Sequence, residues 1–168
     1  MMSDGDMEHR SNYRPTSRMN GDVLIAGLGI GMILVPILRN PKVKSVVVLE
    51  KYQDVIDLVE PPLRKALGAD ATKLTVLCAD VFDWEIPRDQ KFDSIYFDIW
   101  PNICTDQLKD ITKLKRKFCR RVRQGGWMAA WMEQDLRRRR RKERVEEKDR
   151  EMWRKVWKQR QPCLVNHG

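Results

Sequence analysis

A short apolar run, a cluster of glycines and an apolar segment of helix length follow one another over residues 21–38, and this order narrows the possible folds more than any other feature of the chain. Val23, Leu24, Ile25 and Ala26 form a β-prone stretch with no polar interruption, which suits a strand buried on both faces. Gly27, Gly29 and Gly31 come directly after it. Without a Cβ they let the backbone turn sharply off the strand end and leave N–H groups open to a ligand at the start of the next helix. Residues 32–38 read as that helix, apolar on most sides and ended by Asn40-Pro41. A second strand over residues 45–49 then ends in Glu50, nineteen residues after Gly31. A carboxylate at that place accepts hydrogen bonds from two ribose hydroxyls. The expected ligand is an adenosine compound. Nicotinamide sites read G-x-G-x-x-G, which would put glycine at position 32, where this chain has Met32. The spacing G-x-G-x-G points away from NAD.

Beyond Glu50, Val55, Ile56, Val59, Leu63 and Leu67 recur at helical spacing over residues 52–67, with Pro61-Pro62 predicting a break or kink. Residues 74–78 and 92–97 read as a third and a fourth strand, and residues 105–123 as a helix stopped by Gly125-Gly126. Residues 127–132 make a fifth strand and residues 134–161 one long charged helix. Strands separated by helix-length segments predict an α/β fold, a Rossmann-like, doubly wound and mostly parallel sheet. The expected organisation is an N-terminal arm over residues 1–20, one sheet domain over residues 21–133, and a basic C-terminal helix and tail over residues 134–168.

In such a sheet, ligands lie at the carboxyl ends of the strands. Four strand ends carry suitable groups: the glycines, Glu50, Ala79-Asp80 and Asp98. Asp80 can accept from an exocyclic adenine amine while the Val81 N–H donates to a ring nitrogen, or it can serve as a cap or turn residue. Phe82 or Trp84 is placed to cover the ring. Asp98 reads as a proton acceptor or amine orienter, or as a helix-capping carboxylate, and Trp100 as an aromatic wall or as plain packing. His9 and Tyr13 on the arm are weaker candidates for a lid, and His167 has no evident role.

These residues resemble the class I S-adenosylmethionine-dependent methyltransferases over roughly residues 21–132. The resemblance implies that Gly27, Leu28, Gly29 and Gly31 pack against the methionine part of the cofactor, that Glu50 with Lys51 holds the ribose side, and that Asp80 and Val81 meet the adenine. Many methyltransferases have an acid two positions before the first glycine, whereas this chain has Ile25, as spermidine synthases also do. The likeness is therefore to the spermidine synthase-like branch. The segment Asp98-Ile-Trp-Pro-Asn102 lacks the second acid that those enzymes carry after strand four, and a short arm cannot supply their N-terminal hairpin domain. It also departs from the [DNS]-P-P-[YFW] signature of amino-methylating nucleic-acid enzymes. Asp98, Trp100, Pro101 and Asn102 are expected to face an unidentified methyl acceptor. Aminopropyl transfer and a non-catalytic, nucleic-acid-binding version of the fold are the rival readings.

Charge is concentrated at one end of the chain. Residues 109–168 hold 21 of the 33 Lys and Arg but only 8 of the 24 Asp and Glu. Residues 137–142 are six consecutive cations, followed by interleaved acids that permit i,i+4 pairs. The helix is either a solvated, self-paired surface or a patch for nucleic acid. Trp153 and Trp157, four apart on one face, are expected to pack on the sheet or on a second copy in a homodimer rather than to stack on bases. Methyltransferase sheets usually end in an antiparallel strand pair, and after Met132 the sequence offers no more than a stub at residues 163–165. Either the domain is truncated or the long helix covers the exposed sheet edge, alone or with a partner. The four scattered cysteines have no zinc spacing and suggest reduced thiols in a cytoplasmic protein. The apolar run over residues 23–38 is shorter than the ~20 residues a bilayer requires, so no membrane association is expected.

Overall fold

The computed structural model describes residues 15–160. His9, Tyr13, His167 and the stub at residues 163–165 lie outside them. Five strands, β1 (Gly21–Ala26), β2 (Val43–Glu50), β3 (Leu74–Cys78), β4 (Phe92–Phe97) and β5 (Val122–Ala130), form one sheet in the order β3-β2-β1-β4-β5. Every pairing is parallel, so the sheet departs from "mostly parallel" toward uniformity. The helices are α1 (Leu34–Leu38), α2 (Gln53–Leu67), α3 (Gln107–Phe118) and α4 (Glu133–Arg160).

Burial on both sides explains why β1 has no polar residue between Val23 and Ala26. Val23 and Ile25 join one core with Leu34, Ile37, Val46, Val48, Ile56 and Leu63, under α1 and α2. Leu24 and Ala26 face the other way, into a core with Ile95, Phe97, Ile111, Leu114 and Phe118 under α3. Alternate residues of one strand thus serve two separate layers. The N-terminal boundary is packed as well: Met19 is buried, and the Asn20 N–H donates to Ser94 Oγ at 3.1 Å.

Several local expectations are corrected. Pro61 and Pro62 do not break α2, which runs without interruption to Leu67. Both prolines and the residues four positions earlier, Asp57 and Leu58, are exposed, so water can satisfy the carbonyls that lose a donor. Gly125-Gly126 does not stop a helix, because α3 has already ended at Phe118. The glycines lie inside β5, at the irregular register between Phe92 and Ser94. A Cβ on Gly126 would stand 2.8 Å from the Asp93 carbonyl oxygen, so the close approach of β4 and β5 requires glycine there.

The long helix does not cover the sheet edge. It packs against α3, with Leu136 buried, while β5 remains exposed along much of its length. Glu133, at the start of α4, is buried and accepts from Lys115 Nζ at 2.6 Å and from Arg137 at 2.8 Å. Beyond this anchor the helix runs past the sheet, and Trp153 and Trp157 are 65% and 69% exposed, so they do not pack on it.

Burial pushes the Glu133 carboxyl up, but hydrogen bonds from Lys115 and Arg137 outweigh it and hold the group below its ordinary value. Its contribution to stability is therefore complete above the ordinary glutamate pKa of about 4.3 and is lost as pH falls through the lower folded value. Glu133→Ala leaves Lys115 half-buried without its partner and is expected to cost about 1–3 kcal/mol at neutral pH. A lower urea midpoint with unchanged slope checks this, and the difference from wild type should shrink below about pH 4.

Candidate cofactor site

Sheet order reverses between β1 and β4, and the loops leaving these two strands open a cavity of about 770 Å³ at the carboxyl edge. Gly27, Leu28, Gly29, Gly31, Glu50, Lys51, Asp80, Val81, Asp98, Trp100, Pro101 and Asn102 all line it. Residues remote in sequence meet there because parallel strands present all their carboxyl ends on one side.

At the glycine turn, Gly27 adopts φ 99°, and its N–H bonds the Leu49 carbonyl at 2.8 Å. A Cβ at this position would collide with the Asp98 carbonyl oxygen. The loop is held from below by Glu50, which is buried and accepts from the Leu28 N–H at 2.9 Å and the Tyr52 N–H at 3.0 Å. Two carboxylate oxygens offer about four acceptor positions. Glu50 thus orders the loop and keeps acceptor capacity for hydroxyls.

Asp80 takes the turn role and is also ion-paired. One oxygen accepts from the Phe82 N–H at 2.9 Å, closing the turn, and the other faces Lys51 Nζ at 3.0 Å. The Phe82 N–H and the Lys51 ammonium together hold its carboxyl below the ordinary range. The Val81 N–H has no partner among the described residues. Lys117, reaching across from α3, donates to the Val81 and Phe82 carbonyls at 3.1 and 2.7 Å and fixes this turn. Of the two aromatic candidates, Phe82 lines the cavity, whereas Trp84 stacks on Phe118 at 6.4 Å and belongs to the core.

The opposite wall is the loop after β4. The Asp98 N–H bonds the Ala26 carbonyl at 2.8 Å, which sets the loop beside the glycines. Gln107 donates to the Asn102 carbonyl at 2.7 Å and to Asn102 Oδ1 at 2.8 Å, so the Asn102 side-chain oxygen is already engaged in shaping the loop. Tyr52, Val55 and Trp131 also line the cavity and were missed from sequence. Trp131 follows the end of β5 directly, so the strand-end rule that selected Glu50 and Asp98 also selects it.

No protein-family model and no curated protein matches the chain. Solved structures do. The chain is similar to the N-methyltransferase NodS from Bradyrhizobium japonicum WM9, at 12% identity and TM-score 0.57, over 77% of this chain and 70% of that one. It is also similar to an S-adenosylmethionine-dependent methyltransferase from Clostridium acetobutylicum ATCC 824, at 21% identity and TM-score 0.51, over 74% of this chain and 50% of that one. A third is the glycopeptide N-methyltransferase MtfA complexed with sinefungin, at 19% identity and TM-score 0.54, over 76% and 54%. The chain spans about half the length of most of the structures it matches. Strand order, all-parallel pairing and these similarities together establish that the chain has the Rossmann-like α/β fold of the class I S-adenosylmethionine-dependent methyltransferases.

Proposed function

We propose that this protein binds S-adenosylmethionine and transfers its methyl group to an acceptor entering beside Asp98. The observation that carries the reading is the ordered series of strand-end groups around one cavity: glycine turn, buried Glu50, Asp80 with the open Val81 N–H, and Asp98. The residues fit the cofactor, since the turn needs a position where no Cβ is tolerated and Glu50 retains acceptor positions. When bound, S-adenosylmethionine supplies a methyl group made electrophilic by its sulfonium. The chain's part is alignment. The Gly27–Gly31 backbone cradles the amino-acid end, Glu50 accepts from ribose hydroxyls, Asp80 and Val81 read the adenine edge, and Phe82 lies against the ring. Trp100, Pro101 and Trp131 shape the acceptor side, where Asp98 orients the nucleophile or takes its proton.

Ile25 faces the core rather than the cavity and is fully buried, which supports the spermidine synthase-like pattern at that position. Three exposed free cysteines, Cys78, Cys104 and Cys119, suit the reducing cytoplasm. No helix among the described residues is long and apolar enough to cross a membrane.

Calorimetry with S-adenosylmethionine, S-adenosylhomocysteine, decarboxylated S-adenosylmethionine and NAD tests the proposal. The first two should bind, and NAD at least about 100-fold more weakly, because Met32 stands where the dinucleotide pattern needs its third glycine. Preference for NAD would overturn the assignment. Asp98→Asn should retain cofactor binding and slow turnover about 100-fold or more if Asp98 takes a proton.

A further inference from the structure

A second concavity lies between α3 and α4, about 490 Å³ in volume, lined by Leu108 and Val145 with Arg137, Arg140, Arg141, Arg144 and Lys148. Arg137 is paired with Glu133 and Arg140 with Glu143. Arg141, Arg144 and Lys148 have no acidic partner among the described residues, although acids are plentiful on the same helix. The interleaved acids therefore neutralise part of α4 but leave these groove cations uncompensated. From Arg137 to Lys148 the row extends about 16 Å at ~1.5 Å per residue, a length suited to a linear polyanion rather than a single small anion.

The groove is tied to the cavity mouth. Thr105 Oγ1 donates to Glu143 Oε2 at 3.2 Å, so α4 is fastened to the loop whose earlier residues, Asp98 to Ile103, line the cavity. The groove helix and the cavity thus share one connecting segment, residues 98–105. Further along the same helix, Trp153 and Trp157 expose faces on which bases can stack. An anionic membrane fits less well, since the cations line a recess and the groove turns of α4 carry no broad apolar face.

We infer that the groove binds the phosphate backbone of a nucleic acid and that this nucleic acid is the methyl acceptor, which rests on the methyltransferase reading for its second half. Binding is tested by fluorescence anisotropy with a labelled 20-nucleotide single-stranded RNA and its duplex between 50 and 200 mM salt. The Arg141→Gln, Arg144→Gln, Lys148→Gln triple variant should lose about tenfold or more in affinity and flatten the log–log salt slope by about 2, near 0.7 for each lost contact to a single strand. Affinity for S-adenosylmethionine should stay unchanged. The place of the strand is read by crosslinking 4-thiouridine-substituted RNA, with adducts expected on residues 98–106 and 137–148. Absence of RNA binding at 50 mM salt, a triple variant with the wild-type slope, or crosslinks confined to other faces overturns the inference. Tighter binding to phosphatidylserine vesicles than to RNA, lost in the same variant, also overturns it in favour of a membrane surface. The RNA measurements need no cofactor. Failure of wild-type protein to bind S-adenosylmethionine defeats the methyltransferase reading and, with it, the acceptor role, while groove binding is judged separately.

Discussion

Gly27→Ala is expected to destabilise the protein by about 3 kcal/mol or more and to lower affinity for S-adenosylmethionine at least about 100-fold. Two costs combine at this position. The backbone holds φ 99°, where an L side chain is strained by about 1–2 kcal/mol, and the added methyl runs into the Asp98 carbonyl. Neither neighbour can move cheaply. The Gly27 N–H is bonded to Leu49 at the end of β2, and the Asp98 N–H to Ala26 at the end of β1, so relief of the clash opens the junction of three strands. Against a total stability of about 5–15 kcal/mol, this is a large fraction. Gly125→Ala is the internal comparison. Gly125 also has positive φ, at 77°, but nothing lies within 4 Å of its added Cβ, so it should lose only the conformational part. Equal urea midpoints for the two variants would show that the contact with Asp98 relaxes freely, and the account of the glycine turn would fail.

Glu50→Ala is expected to weaken S-adenosylmethionine binding by about 1.5–3 kcal/mol, roughly 10- to 150-fold, and to reduce stability by about 1–3 kcal/mol as well. The double effect follows from its double engagement. Removing the carboxylate orphans the Leu28 and Tyr52 N–H groups and also deletes the acceptors proposed for the ribose. Glu50→Gln separates the two. Its amide oxygen can still take one backbone N–H, so more stability is retained, while the NH₂ faces groups that themselves donate, so affinity still falls. Calorimetry beside urea unfolding distinguishes these cases. Unchanged affinity in Glu50→Ala, with only stability lost, would make Glu50 a loop-holding residue and move the ribose elsewhere.

Both variants were selected by a pattern visible in the chain, and the reason is geometric. Residues 21–50 encode a buried strand, a Cβ-free turn, a helix and a second strand in a local order, and parallel topology then forces the strand ends together. Gly27, Glu50, Asp80 and Asp98 could therefore be assigned to one edge without knowledge of a single long-range contact. The boundaries of β3 and β4 were equally legible, because their apolar runs are bounded by polar segments.

What escaped the sequence depends on neighbours. Val122 to Gly126 has no strand pattern, since an edge strand is only partly covered, and it joins β5 because Val122 and Trp127 on either side of the register shift pair with β4. Pro61-Pro62 sits on the exposed side of α2, a fact its local propensity cannot express. The turn role of Asp80 was legible from sequence, but its ion pair with Lys51 appears only once β2 and β3 lie side by side. The charge run on α4 specified a helix and a sign, and its ion pairs are local ones three or four residues apart, but its seat against α3 through Leu136 and the Lys115–Glu133 pair came from packing. Periodicity and glycine placement act within a few residues, so the chain alone determined the layered sheet and its ligand edge. The exposed strand, the hold of Glu50 on the Leu28 N–H and the pairing of Asp80 with Lys51 arise from contacts between distant segments, and tertiary structure decided them.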